Sequence, residues 1–359
     1  MFLTRISLSN FKNHENLSLG FSHKINCIIG NNGVGKTNLL DAIYYLCLTK
    51  SYFNSTDQQN ILFGKDFFRL EGSFMKGEES FDLVYKLPVG KRKELLVNES
   101  LLPKLSDHVG GFPAIIISPD DSVLINGGSE ERRRFLDNTI SQVNHQYLDS
   151  LIQYNKILAQ RNASLKRFAE SGRVDNTLLD SYDQQMVPLG NEIHQARKAA
   201  IVLLESLFQN FHRQVSYGRE VTGFRYQSPL NEQAFESLLK ANRNRDLVLQ
   251  RTDTGVHKDD IEFRIGENRL KRFGSQGQQK SFIVSLKFSQ YEYIRKNKNF
   301  APVLLIDDIF DKLDTDRSRK LVELISENGF GQVFITDTGD AHIREVLKGK
   351  EEIFSFIGF

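Results

Sequence analysis

The sequence predicts an α/β fold: a discontinuous α/β lobe interrupted by a mostly helical one. Three observations predict it. A glycine-rich loop, Gly30–Thr37, sits between a strand-like and a helix-like segment. An apolar run ending in two carboxylates, Val303-Leu304-Leu305-Ile306-Asp307-Asp308, lies far downstream. Between the two, apolar spacing turns helical over residues 130–215. A layered α/β lobe whose chemistry-bearing segments lie that far apart is assembled from distant stretches of chain. The expected division is residues 1–117 and 296–359 for the first lobe and 118–295 for the second.

Taken in order, the chain opens strand-rich. Ile6, Leu8 and Phe11 alternate, as do Leu17, Leu19 and Phe21, and later Phe81, Leu83 and Tyr85. Residues 25–29 read as a buried strand, and 38–47 as a helix with Leu39, Leu40, Ile43 and Cys47 on one face. Gly110-Gly111-Phe112-Pro113 punctuates the chain before another buried strand at 114–117. Beyond Ser118-Pro119-Asp120-Asp121, helical spacing joins Leu148, Leu151, Ile152, Ile157, Leu158 and Ala159. It joins Ile193, Ala196, Ala200, Leu203, Leu204, Leu207, Phe208 and Phe211 more cleanly. A strand at 260–265, a helix opening near Gln278, a strand at 303–306, a helix near 317–326 and a strand at 332–336 complete the order. No apolar heptad run is sustained between Thr37 and Asp307, so no long coiled-coil arm is expected.

Composition fits a soluble globular protein: 40% of the 359 residues are hydrophobic and 26% charged. There is no apolar run of membrane-spanning length and no signal-peptide pattern, so no membrane association is expected. Cys27 and Cys47 lack paired spacing and suggest neither zinc nor a disulfide framework, which makes a reducing, cytoplasmic setting the expectation. The net charge of +2 does not announce a nucleic-acid binder, so local basic runs matter more. Lys91-Arg92-Lys93, with Arg161, Lys166 and Arg167, are candidate DNA contacts; each run also reads as an ordinary solvated face. Arg132-Arg133-Arg134 is a further basic run.

Gly30-Asn31-Asn32-Gly33-Val34-Gly35-Lys36-Thr37 satisfies the phosphate-loop pattern G-x-x-x-x-G-K-[ST] at every fixed position. Strand, glycine loop and helix together aim backbone N–H groups and a helix N-terminus at a polyphosphate such as that of ATP. Lys36 is expected to reach the β- and γ-phosphates, and the Thr37 hydroxyl to ligate Mg²⁺. A parallel strand delivers its last side chains where ligands bind in open α/β sheets. Asp307 is therefore expected to hold Mg²⁺ through water, and Asp308 to orient or deprotonate an attacking water.

Ser275-Gln276-Gly277-Gln278, shortly upstream of that strand, resembles the signature loop of ABC-type ATPases. It offers a hydroxyl and backbone N–H groups at a helix start; a plain capped helix with Ser275 as N-cap is the alternative reading. The resemblance implies that Ser275, Gly277 and Gln278 contact nucleotide held by a partner subunit. Leu313-Asp314 resembles the D-loop of the same interface. The superfamily's switch histidine is missing after the last predicted strand, where Thr336-Asp337-Thr338 stands and His342 comes several residues late. Its Q-loop glutamine is also missing, at Ser118–Asp121.

Taken together, these stretches resemble the RecF family of bacterial recombination and gap-repair ATPases, relatives of the heads of SMC proteins. The resemblance spans nearly the whole chain. It runs through Leu8-Ser9-Asn10-Phe11-Lys12-Asn13, the phosphate loop, Ile117–Asp121, Glu131–Asp137, Tyr154-Asn155 and Gln160-Arg161-Asn162. It continues through Gly255-Val256-His257-Lys258-Asp259-Asp260, Phe273–Lys280 and Leu305–Asp308 with Lys312-Leu313-Asp314. It implies an ABC-type ATPase head with lobes I and II. It implies an ATP-dependent homodimer on double-stranded and gapped DNA, with weak DNA-stimulated ATP hydrolysis. It also implies RecO and RecR as partners, recombinase loading and a link to the SOS response. A nucleotide-binding transporter subunit, an SMC-type structural head and a non-hydrolysing assembly protein are the competing readings.

Overall fold

The computed structural model describes residues 1–216, 218, 220–308, 315–327, 329–338 and 354–359. The chain divides into two compact units. The first comprises Met1–Asp121, Phe211–Arg219 and Lys280–Phe359; the second comprises Ser122–Asn210 and Glu220–Gln279. The expected limits therefore shift. Residues 118–121, 211–219 and 280–295, assigned from sequence to the second lobe, belong to the first unit. The physical reason is visible at Lys287, whose ammonium donates to the Ile116 carbonyl at 3.0 Å and pairs with Asp121 at 2.7 Å.

The first unit opens with β1 (Phe2–Phe11), β2 (His14–Gly20), β3 (Ile25–Ile29) and α1 (Lys36–Leu48). It continues with β4 (Phe67–Lys76), β5 (Glu79–Pro88), β6 (Glu94–Val97), β7 (Ser100–Leu101) and β8 (Ala114–Ile117). A six-stranded antiparallel sheet runs β2-β1-β4-β5-β6-β7. Its alternating residues bury one face: Phe68, Leu70 and Phe74 from β4, Leu83, Tyr85 and Leu87 from β5. The sequence reading gave α1 one apolar face, but nearly every residue of it is buried. It shares one core with strands of both the antiparallel sheet and the parallel sheet described below, and a helix covered on both sides is apolar all round.

The second unit contains α2 (Val123–Asn126), α3 (Ser129–Ser141), α4 (His145–Ser171) and most of α5 (Asn176–Val215). It also contains β9 (Thr222–Gln227), α6 (Phe235–Leu249), β10 (Asp260–Ile265), β11 (Asn268–Arg269) and α7 (Leu270–Phe273). Helices α4 and α5 run antiparallel, bonded from Ser150 to Glu192 at 2.7 Å and from Arg161 to Asp183 at 2.9 Å. The buried stripe of α4 is Tyr147, Ser150, Tyr154, Ile157, Arg161, Ser164, Leu165 and Phe168; of the set expected from sequence only Ile157 belongs to it, and Ile152 is 49% exposed. The stripe steps mostly by three and four residues, and over its first five turns Ile157 is its one aliphatic member among aromatic and polar side chains, which an apolar count misses.

Helix α8 (Gln276–Lys298) begins in the second unit and continues in the first. The first unit then closes with β12 (Val303–Ile306), α9 (Thr315–Glu327), β13 (Val333–Asp337) and β14 (Phe354–Gly358). Its parallel sheet has the order β14-β3-β13-β12-β8. Strands covered on both faces read as near-continuous apolar runs, which is why Ile25–Ile29, broken only by the buried Asn26, Ala114–Ile117 and Val303–Ile306 were legible. Among the described residues no helix is long and apolar enough to cross a membrane.

Candidate nucleotide site

The glycine loop leaves the C-terminal end of β3 and enters α1. Gly33 and Gly35 have φ of 84° and 109°, a backbone region that favours glycine. Gly35 has a second constraint, since a Cβ there would lie 2.5 Å from the His14 ring. The loop therefore keeps its N–H groups free of side-chain obstruction at the helix start, where the dipole favours an anion. The Lys36 ammonium folds onto the loop itself, donating to the carbonyls of Gly30 at 2.8 Å and Asn31 at 3.0 Å.

Thr37 and Asp307 come from segments far apart in sequence and meet at the sheet's C-terminal edge. The Thr37 hydroxyl lies 3.0 Å from each Asp307 carboxylate oxygen. A hydroxyl beside a carboxylate, both oxygen donors, is the set a hard divalent cation takes together with phosphate oxygens and water. Among the described residues no group of three or more His, Cys, Asp or Glu could hold a metal alone, so such an ion would draw its remaining ligands from phosphate and water.

Strand β13 lies between β3 and β12, and its Thr336 fills a role that sequence reasoning missed. The buried Thr336 hydroxyl donates to Asp307 Oδ1 at 2.8 Å and accepts from the Asp308 N–H at 3.0 Å. One side chain thus ties both strand-end acids to the middle strand. Sequence reading reached this position only as one lacking a histidine. Burial pushes the Asp307 carboxyl above its ordinary value, against the hydrogen bonds from Thr336 and Thr37. Asp308 turns the chain sharply, with φ of 42°.

Two further neighbours were not singled out. The tip of the β1–β2 hairpin seats on the loop: His14 Nε2 donates to the Gly35 carbonyl at 3.0 Å, and Asn38 Nδ2 donates to Asn13 Oδ1 at 2.7 Å. Burial lowers the His14 pKa, against the bond to the Gly35 carbonyl. Lys12 pairs with the buried Asp41 of α1 at 2.6 Å, and Asp41 also accepts from Ser51 Oγ at 2.6 Å. The signal was present in Phe11-Lys12-Asn13, but its partners in α1 were not legible.

In the second unit, Ser275 caps α8. Its hydroxyl accepts from the Gln278 N–H at 3.3 Å, while its own N–H donates to Gln278 Oε1 at 2.8 Å. This is a reciprocal capping box, and Ser275 itself is exposed. Gly277 lies in the first turn of that helix. Asp314, Leu313 and His342 lie outside the described residues.

The basic candidates divide. Lys91, Arg92, Lys166 and Arg167 are exposed. Arg161 corrects the sequence reading, because it is fully buried between Asp183 at 2.9 Å and Asp246 at 2.7 Å. A guanidinium so enclosed is a core ion pair, not a phosphate contact. Lys93 is likewise committed, to Asp57 at 2.8 Å, to the Thr49 carbonyl and over the Tyr45 ring. Of the arginine run, Arg132 forms a bidentate pair with Asp260, and Arg133 donates to the Asp259 carbonyl at 2.7 Å. The motif at 255–260 is similarly absorbed. Asp259 receives Arg197 at 2.7 Å, and His257 bridges the Tyr154 hydroxyl at 2.8 Å and the Thr252 carbonyl at 3.0 Å. Burial pushes the His257 pKa down to about 4.

A sequence-family model described as RecF/RecN/SMC N terminal domain matches residues 2–354. A Flavobacterium johnsoniae protein named DNA replication and repair protein RecF is 42% identical over 354 residues, covering 99% of each chain. A protein of the same name from Cytophaga hutchinsonii is 45% identical over 337 residues, covering 94% of this chain and 89% of its own. Among solved structures, the recombination mediator protein RecF-ATP of the RecFOR pathway superposes with a TM-score of 0.87 at 29% identity, covering 95% of this chain and 92% of that one. An Smc head bound to the C-terminal winged-helix domain of ScpA shares the fold, with a TM-score of 0.56 at 16% identity over 96% and 92% of the two chains.

Proposed function

This chain belongs to the RecF/RecN/SMC N-terminal domain family, and within it to the RecF proteins of DNA replication and repair; from that premise we propose an ATP-driven DNA clamp of recombinational repair. One observation carries the nucleotide half of this reading: Lys36, Thr37, Asp307 and Thr336 converge at the C-terminal edge of one parallel sheet. ATP fits the residues present, because the loop offers N–H groups, a helix start and an ammonium. Mg²⁺ fits the Thr37–Asp307 oxygen pair and, when bound, would offset charge building up on the phosphates. Lys36 would exchange its carbonyl contacts for phosphate oxygens. Asp308, anchored through its N–H, would orient the attacking water or take its proton.

The finer function follows the same reading. Two chains would close over ATP, with Ser275, Gly277 and Gln278 of one facing nucleotide held by the other. The closed dimer would clamp duplex DNA near single-strand gaps and help load recombinase with RecO and RecR, in the cytoplasm and linked to the SOS response. Hydrolysis would be slow and DNA-stimulated. The test is DNA binding with ATP, with ADP and without nucleotide, at two salt concentrations. The expected outcome is ATP-dependent binding that weakens steeply with salt, as phosphate contacts require. Nucleotide-independent, salt-insensitive binding would overturn the clamp.

A further inference from the structure

We infer that Phe63 is a stacking platform for an unpaired base, set beside phosphate-binding Lys91 and Arg92; this rests on the gapped-DNA reading above. Two turns stand side by side at one end of the antiparallel sheet. Leu62-Phe63-Gly64-Lys65 is closed by a bond from the Lys65 N–H to the Leu62 carbonyl at 3.0 Å. Pro88-Val89-Gly90-Lys91 is closed by one from the Lys91 N–H to the Pro88 carbonyl at 3.2 Å. Gly64 and Gly90 have φ of 80° and 69°, which with these bonds gives type II geometry for both. The Val89 N–H donates to the Asp66 carbonyl at 2.8 Å, and Phe67 pairs with Pro88 in register, so the two tips are tied together.

Each tip thus carries an apolar side chain, then glycine, then lysine. Phe63 is 100% exposed, an unusual position for a large ring, and Phe67 and Val89 beside it are about half exposed. The backbone that carries it is nevertheless fixed, because the Leu62 N–H is also bonded to the Asn10 carbonyl at 2.9 Å. Lys65 is taken by Glu15 at 2.6 Å, whereas Lys91 and Arg92 are exposed and without an acidic partner among the described residues. One Phe ring offers roughly 200 Å², far below the roughly 800 Å² per partner of a stable protein interface. A single exposed ring on a hydrogen-bonded turn beside free cations is instead the composition that stacks an unpaired base and tracks its phosphates. A gap presents such bases and an intact duplex does not.

The chain contains no tryptophan, so Phe63→Trp places one reporter at the tip. Affinity for gapped and for fully paired DNA is measured on the unaltered protein with ATP, then on Phe63→Ala and Phe63→Trp. Phe63→Ala is expected to lose about tenfold on gapped DNA and little on duplex, within the range for one stacked base. Phe63→Trp is expected to retain gapped binding, with its emission quenched by gapped DNA and much less by duplex. Equal losses on both DNAs, or emission indifferent to gapped DNA while binding persists, overturn the inference and leave the clamp standing. If the unaltered protein binds neither DNA, both fall. The ring touches no core, so loss of folding does not confuse the result.

Discussion

Asp307 and Asp308 are adjacent in sequence but differently held. Asp307 is buried and receives hydroxyls from Thr37 and Thr336, as suits a group that keeps a cation in place. Asp308 is half-buried and is anchored through its backbone N–H, while its carboxylate has only a long 3.5 Å contact from the Thr336 hydroxyl at Oδ1. Asp308→Asn is expected to cut ATP turnover about a hundredfold or more, the usual scale for losing a general base, while ATP binding and dimer formation persist. Phosphate release measured alongside nucleotide binding decides it, and unchanged turnover removes Asp308 from the reaction. The glycine loop and both acids were legible because their residue types are tied to local geometry. Thr336 was not, since a threonine closing an apolar strand looks like any other β-branched residue there. Arg161 was misread for the converse reason: a basic side chain gives no hint that two carboxylates from distant segments enclose it.

Helix α8 shows how one element hides a boundary. It is an uninterrupted 23-residue helix whose first turn belongs to one unit and whose remainder belongs to the other. No proline or break in the helix marks the change between Gln279 and Lys280, and the limit expected from sequence fell later, between 295 and 296. Its capping box also bears on function. Ser275 both starts the helix and, in the proposed dimer, faces the partner's nucleotide. Ser275→Arg is expected to leave ATP binding by the monomer intact while preventing ATP-dependent dimers. Ser275→Thr preserves a capping oxygen and serves as the control for the roughly 1 kcal/mol that a lost cap costs. Equilibrium nucleotide binding and sedimentation separate the two effects. If the arginine variant loses ATP binding as a monomer, Ser275 acts on its own chain's site.

At the scale of the whole molecule, charge is nearly balanced and several basic side chains are spent on internal pairs, so the proposed DNA clamp would rest on exposed basic positions and on ATP-dependent assembly. Lys36→Ala is therefore expected to abolish ATP binding and, with it, ATP-dependent dimerisation and DNA retention. Light scattering with and without ATP measures this, and nucleotide-independent dimers of ordinary affinity count against the clamp. The fold class was legible because buried parallel strands and long helices leave strong patterns; the exact limits of the lobes depend on contacts that no local pattern encodes. The strand order has a consequence for biosynthesis. Strand β3 carries the glycine loop, yet its neighbours are β13 and β14: Ile25 pairs with Val333 on one side and Phe354 on the other. Until those late segments leave the ribosome, the apolar strand beneath the loop has no sheet partner. The second unit ends at Gln279, before β13 and β14, so it can be complete while β3 still lacks both sheet partners and its apolar side chains stay open to chaperone capture.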